Sequence, residues 1–195
     1  MAMSAHFRPV DLAHASRLLN HGPTAMVTSA HGGRRNVMSA AWSMPVEFNP
    51  PRVAVVIDKH TYTRELVQAS GAFALIVPGR QLAGLVHAVG SQTGREGDKF
   101  EAHGLAVRPG PVLGMPVFED GVAAWLECRL IPEPHTEAAY DTCFAEVVAA
   151  AADARVFADG RWHFHADNTG LHTLHYLGGG QFVAAGDAFQ VATLG

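Results

Sequence analysis

Thr24–Ala30 (TAMVTSA), the tripeptide His31-Gly32-Gly33 and Arg34–Trp42 (RRNVMSAAW) form the stretch on which the fold turns. Small and β-branched residues flank two adjacent glycines, the pattern of a tight β-hairpin. Strands are therefore predicted over Thr24–Ala30 and Arg34–Trp42, with Trp42 expected in the core. Downstream, Asn49-Pro50-Pro51 is a hard break, and Arg52–Ile57 (RVAVVI) reads as a short strand buried on both faces. Thr61 or Thr63 caps a predicted helix that runs to about Ala69 and closes at Ser70-Gly71. Ala72–Val77 (AFALIV) is a further strand, and Gln81–Val89 is helical in pattern. Upstream, Asp11–Asn20 reads as a short helix with Leu12, Ala15, Leu18 and Leu19 on one face, stopped by His21-Gly22-Pro23.

The second half continues the β pattern. Along Gly121–Ile131 (GVAAWLECRLI), Val122, Ala124, Leu126, Cys128 and Leu130 share one face, while Trp125, Glu127 and Arg129 share the other. Cys143–Ala154 is ambiguous, because its alanines favour helix while Cys143, Ala145, Val147 and Ala149 would line one strand face. Strand is preferred, since sequential strands tend to pair. Leu171–Phe182 carries a Gly178-Gly179-Gly180 turn between two apolar pieces. Six or more strands with a few helices between them predict a mainly β, barrel-like fold with peripheral helices.

Composition agrees with many short elements, since 20 glycines and 11 prolines occur in 195 residues without a period. That length suits a single domain over 1–195. Fourteen Lys and Arg against 18 Asp and Glu give a net charge of −4, and Lys59 and Lys99 are the only lysines. Such a balance excludes a nucleic-acid surface and a polybasic membrane patch. A chain 48% hydrophobic and 16% charged is too apolar for disorder. Its longest apolar runs, such as Ala72–Val77, are far short of the ~18 residues that span a bilayer. The opening MAMSAHFRPVDLAH has no apolar signal core, so no export is expected. The two cysteines, Cys128 and Cys143, suit a reducing cytosol, and a cytoplasmic protein is expected.

Several familiar motifs fail. Gly90–Phe100 (GSQTGREGDKF) is glycine-rich, yet Lys99 follows Asp98 and no Ser or Thr comes next, so it is not a Walker loop. No GxGxxG opens a helix after a strand, and neither HExxH nor GxSxG occurs. Four of the 12 histidines cluster as His163, His165, His172 and His175. Without a cysteine pair or a spaced carboxylate they suggest a half-exposed strand over Arg161–His165, and no metal ligand is assigned. Cys128 and Cys143 fall on core faces, which argues against a Cys–His nucleophile.

Five segments in order carry a resemblance: Asn36-Val37-Met38-Ser39-Ala40-Ala41-Trp42, Asn49-Pro50-Pro51, Thr61-Tyr62-Thr63, Gly71–Pro78 (GAFALIVP) and Thr93–Phe100 (TGREGDKF). Together, over about Gly22 to Phe182, the chain resembles the flavin-reductase-like family of FMN-binding split barrels, the group that includes flavoredoxin. Asn49 stands where that pattern commonly has Asp, Thr93 where it has Ser, and Val89 precedes Gly90 where cysteine is frequent.

The resemblance implies FMN as cofactor and NAD(P)H as reductant, with electrons passed to oxygen, another flavin or a partner oxygenase. It also implies a homodimer whose flavin lies in a groove at the interface. Thr61, Tyr62 and Thr63 sit where a helix begins, so hydroxyls, unpaired N–H groups and the helix dipole make an anion site there. Lys59 just upstream and Arg64 just inside are expected to supply countercharge. A simple helix cap is the bland alternative. The resemblance further implies that backbone groups near Met38–Ala41 meet the flavin ring edge, with Ser39 adding a hydroxyl, so that Asn36, Val37, Met38, Ser39, Ala40 and Ala41 belong to the expected site. Arg95 and Lys99 are further expected contacts, to phosphate or to the reduced ring, against a solvated loop as alternative. Hydride transfer needs no protein acid or base, so no catalytic residue is named; His60 and His175 are candidate neighbours of the ring or nicotinamide. Two other readings stay open: a flavin-binding electron carrier and a histidine-rich metal-binding barrel.

Overall fold

The structure, a computed structural model, describes residues 6–19 and 21–192. In chain order the strands of the first half are β1 (Phe7–Pro9), β2 (Ala25–His31), β3 (Arg34–Ala40), β4 (Ser43–Phe48), β5 (Pro51–Val56) and β6 (Ala72–Pro78). Then come β7 (Val107–Pro109), β8 (Pro116–Phe118), β9 (Val122–Ile131), β10 (Thr142–Asp153), β11 (Phe157–Ala158), β12 (Arg161–Trp162), β13 (Leu174–Gly178) and β14 (Gln181–Ala184). Among the described residues four α-helices interleave with them: α1 (Tyr62–Ser70), α2 (Ala83–Ser91), α3 (Lys99–Ala102) and α4 (Pro134–Tyr140). The architecture is mainly β, as expected.

One antiparallel sheet dominates, in the order β3-β2-β6-β9-β10-β5-β4, with β1 added against β10. The path begins at β3 and ends at β4, which follow each other in sequence without pairing. The sheet therefore curls into a barrel that is left open between those two strands. Val27, Phe73, Leu75, Leu126, Cys128, Cys143 and Ala145 point into it and form one buried cluster, plugged by Leu18 and Leu19. The alternate residues Met26, Ile76 and Trp125 point outward and are buried under α2, α3 and the β7–β8 ribbon with Val86, Val89, Phe100 and Val117. Two-sided burial explains why these strands read as continuous apolar runs.

The decisive hairpin forms as predicted. Gly32 and Gly33 take φ of +58° and +77°, the left-handed conformation a tight primed turn needs, and β2 pairs with β3 from Ala25 opposite Ala40 to His31 opposite Arg34. Thr61 caps α1 through its side chain and Gly71 ends it at φ +69°. The ambiguous Cys143–Ala154 segment is strand, because β5 and β9 flank it on both sides.

Other expectations are corrected. Trp42 is not in the core but 73% exposed, since the chain leaves β3 at Ala40 and starts an unforeseen edge strand, β4. The N-terminal helix is a 3-10 helix over Leu12–Leu18, and Asn20 lies outside the described residues. Arg161–His165 is not one strand: pairing stops at Trp162, Phe164 turns inward, and Asn168 Nδ2 donates to His163 O and Arg155 O to fold the segment into a loop. Among the described residues no helix is long and apolar enough to cross a membrane.

Candidate functional site

A groove runs along the outer side of β3, between the head of α1, the C-terminal end of α2 and the β13–β14 hairpin. Its first compartment, about 280 Å³, is bordered by Asn36, Met38, the His60–Thr63 segment and residues 89–94. The second, about 200 Å³, lies over Thr24, Ser39 and Ala41, with Val86 and His87 on one wall and Tyr176 and Phe182 on the other. Gly90 and Ser91 border both. Each alone is below the ~300 Å³ at which ligand pockets usually begin.

Sequence places the walls for identifiable reasons. Gly90 lets α2 close on β3, because a Cβ there would sit 3.2 Å from Ser39 Cβ. Ser39 Oγ donates to Val86 O and so ties β3 to α2. Asp98 caps α3 by accepting from Phe100 N–H at 2.7 Å and also holds Arg35 Nε at 2.7 Å. Lys99, 4% exposed, then reaches beneath the groove and donates Nζ–H to Val37 O (2.9 Å) and Val89 O (2.7 Å). Burial lowers its ammonium pKa to about 8.

At the head of α1, Thr61 Oγ1 accepts from Arg64 N–H at 3.2 Å and donates to Asp58 O at 2.8 Å. That leaves the first-turn N–H groups of Tyr62 and Thr63 without intrahelical partners. Asn36 Nδ2 donates to Thr63 Oγ1 at 2.9 Å, while Asn36 Oδ1 is buried with no partner. The guanidinium groups of Arg34 and Arg95 each lie over the Tyr62 ring, 5.6 Å from its centroid. Arg95 is anchored at the rim by two bonds to Glu65, which hold that carboxylate below its ordinary range, and by His60 O.

The structure thus brings together most of the expected set and separates the rest. Asn36, Met38, Thr61, Tyr62 and Thr63 line the first compartment, and Ser39 and Ala41 the second. Val37 and Ala40 contribute backbone only, their side chains lying in the outer and inner cores. The expected countercharge is turned away: Lys59 Nζ donates to Ala138 O, and Arg64 is buried on Ile57 O and the Glu137 carboxylate. Lys99 borders the groove, but its amine is engaged by carbonyls. His60 lines the groove, whereas His175 packs against His21 with ring centroids 6.1 Å apart. Val86, His87, Tyr176 and Phe182 were missed; only the Gly178–Gly180 turn signalled that a hairpin would form a wall. His172 is held by Ala185 O, His165 O and Asn168 Oδ1, and no three His, Cys, Asp or Glu side chains converge among the described residues. Burial raises both thiols, Cys143 to about 11.

The model of the flavin reductase like domain family matches residues 17–177. The chain belongs to that family. A relative, the Escherichia coli protein YddH, is 54% identical over 184 residues, which is 93% of this chain and 96% of YddH. Among solved structures, the FMN-binding domain of a flavin reductases-like enzyme from Shewanella baltica superposes with a TM-score of 0.92 at 41% identity, covering 98% of this chain and all of that one. Flavoredoxin of Desulfovibrio vulgaris, at 23% identity, shares the fold with a TM-score of 0.75 over 88% of this chain and 90% of its own. The open barrel of this flavin reductase like chain is thus the split barrel expected from the five segments.

Proposed function

We propose that the chain binds FMN along this groove and acts as an NAD(P)H:flavin oxidoreductase, handing electrons to a flavin, to oxygen or to a partner acceptor such as an oxygenase. The observation that carries it is the set of unengaged donors at the head of α1: two first-turn N–H groups and the Thr63 hydroxyl, all in one groove. They suit a phosphate, with the Arg95 guanidinium, held by His60 O beside the groove, as countercharge. From there β3 leads to Ala41, where small side chains admit a flat ring close to the backbone. Tyr176 and Phe182, with ring centroids 5.1 Å apart, form the wall at that end. Bound there, the flavin would supply the hydride and electron chemistry. The residues bind, orient and leave one side open; none is assigned a proton transfer.

A homodimer is part of the proposal. Trp42, just before β4 and directly after the Ala41 that borders the groove, is 73% exposed, and Met44, Val46 and Phe48 along β4 are 57, 40 and 71% exposed. An exposed apolar row of this kind is how a protein interface presents itself.

The test is direct. The purified full chain is expected to carry or take up FMN, seen as visible flavin absorbance, and to oxidise NADH or NADPH when FMN is present. FMN uptake without pyridine nucleotide oxidation would leave a carrier, and no uptake would end the proposal. In gel filtration the wild type is expected at twice the monomer mass and Trp42→Ser/Phe48→Ser at the monomer mass.

A further inference from the structure

Three arginines near the first compartment differ in what holds them. Arg35 gives its Nε–H to Asp98 at 2.7 Å, and Arg95 bonds both carboxylate oxygens of Glu65. Arg34, the exposed first residue of β3, has no hydrogen bond and no carboxylate within ion-pair distance among the described residues. Its guanidinium instead lies over the ring of Tyr62, which borders the first compartment. A ring face helps to hold a guanidinium in place and leaves its five N–H donors for another partner. Glu65, three residues along α1 from Tyr62 and so on the same face of that helix, is spent on Arg95.

We propose that Arg34 binds the adenosine 2′-phosphate of the reductant, so that the chain prefers NADPH to NADH. This rests on the oxidoreductase reading above. The two nucleotides differ only in that phosphate, so discrimination needs a cation that the flavin does not use. With the flavin ring against Ser39 and Ala41 and its phosphate at the head of α1, β3 runs on past the phosphate to Arg34. Six residues of strand separate Arg34 from Ala40, about 20 Å. An extended dinucleotide whose nicotinamide meets the flavin ring covers such a span and brings its adenosine to that end, outside both compartments. A guanidinium offers parallel N–H groups that match two phosphate oxygens. An NADH site would instead offer a free carboxylate to the ribose diol, and Glu65 is not free to serve.

The experiment compares kcat/KM for NADPH and for NADH in the full chain with FMN supplied. The wild type is expected to favour NADPH. Arg34→Gln is expected to cut the NADPH/NADH ratio by about 10-fold, the loss of a charge-assisted contact at a solvent-facing site, through a raised KM for NADPH. Arg34→Lys, which keeps the charge and loses the fork, is expected to fall between them. Calorimetric titration with adenosine 2′,5′-bisphosphate and adenosine 5′-monophosphate gives a readout independent of turnover. The wild type is expected to bind the bisphosphate more tightly, and Arg34→Gln to bind the two alike. A wild type without NADPH preference, or an Arg34→Gln variant that keeps it, would overturn the role of Arg34 while the flavin reading stands. So would a loss of FMN affinity in Arg34→Gln, because Arg34 would then belong to the flavin's own phosphate site. A wild type that takes up FMN yet oxidises neither nucleotide would overturn the oxidoreductase reading, and this role with it.

Discussion

Two regions of this molecule bury polar groups in opposite ways. Glu127 on β9 is fully buried, and its carboxylate accepts N–H from Val112 (2.8 Å), Leu113 (2.9 Å) and Met115 (3.2 Å). Gly110 packs so close to it that a Cβ would strike the carboxyl. Everything there closes on itself, which is the condition for a buried charge to hold a loop in place. The head of α1 is equally well ordered by Thr61 and Asn36, yet keeps two N–H groups, a hydroxyl proton and an amide oxygen unmatched. The lesson is that satisfied buried polar groups hold a fold together, whereas convergent unsatisfied ones await something from outside.

That contrast can be broken most forcefully at Glu127. Glu127→Gln leaves one acceptor oxygen for three donors and is expected to lower the unfolding free energy by about 3 kcal/mol, read by denaturant titration. FMN affinity of the folded fraction is expected to stay unchanged; a parallel loss would mean the two regions are not separate. Lys99 gives a smaller effect with a pH signature. Lys99→Met orphans Val37 O and Val89 O and is expected to cost about 2 kcal/mol near neutrality. Because burial lowers the folded pKa to about 8 from 10.5, the unfolded chain binds the extra proton between those values. Wild-type stability therefore rises relative to Lys99→Met as pH climbs from 8 toward 10.5.

The smallest effect sharpens the comparison. His21 Nδ1 is also buried without a partner, but it sits among Trp162, Phe164 and His175, away from the groove. A single orphaned atom does not make a site; convergence does. Burial, reinforced by His175, lowers its pKa from 6.5 to about 4. The unfolded chain thus takes a proton first, and stability is expected to fall as pH drops from 6.5 to 4, by on the order of 1 kcal/mol for a partly solvated ring. His21→Gln is expected to flatten that slope in denaturation measured against pH.

Local pattern made the elements legible. Two glycines marked the hairpin, threonine and glycine bounded α1, and period-two alternation identified β10 despite its alanines. What failed was partnership across distance. Lys99 read as a ligand contact because its charge is visible in sequence, while the two carbonyls that hold it come from β3 and α2. Thr61 and Thr63 were both recognised at a helix start, but their different bonding depends on Asn36, 27 residues upstream. Trp42 read as core because aromatic size suggests burial, and an edge strand with a solvent-facing apolar row has the same alternation as an interior one.

The free margin of the barrel has its own consequence. Pro45 offers no N–H, and the pairing of β4 with β5 slips between Pro45 and Glu47. An incoming strand therefore meets an interrupted ladder and cannot extend the sheet indefinitely. In the proposed dimer, sticky side chains on a margin unsuited to strand addition would favour a closed pair over fibrils, inviting one neighbour and discouraging a procession of them.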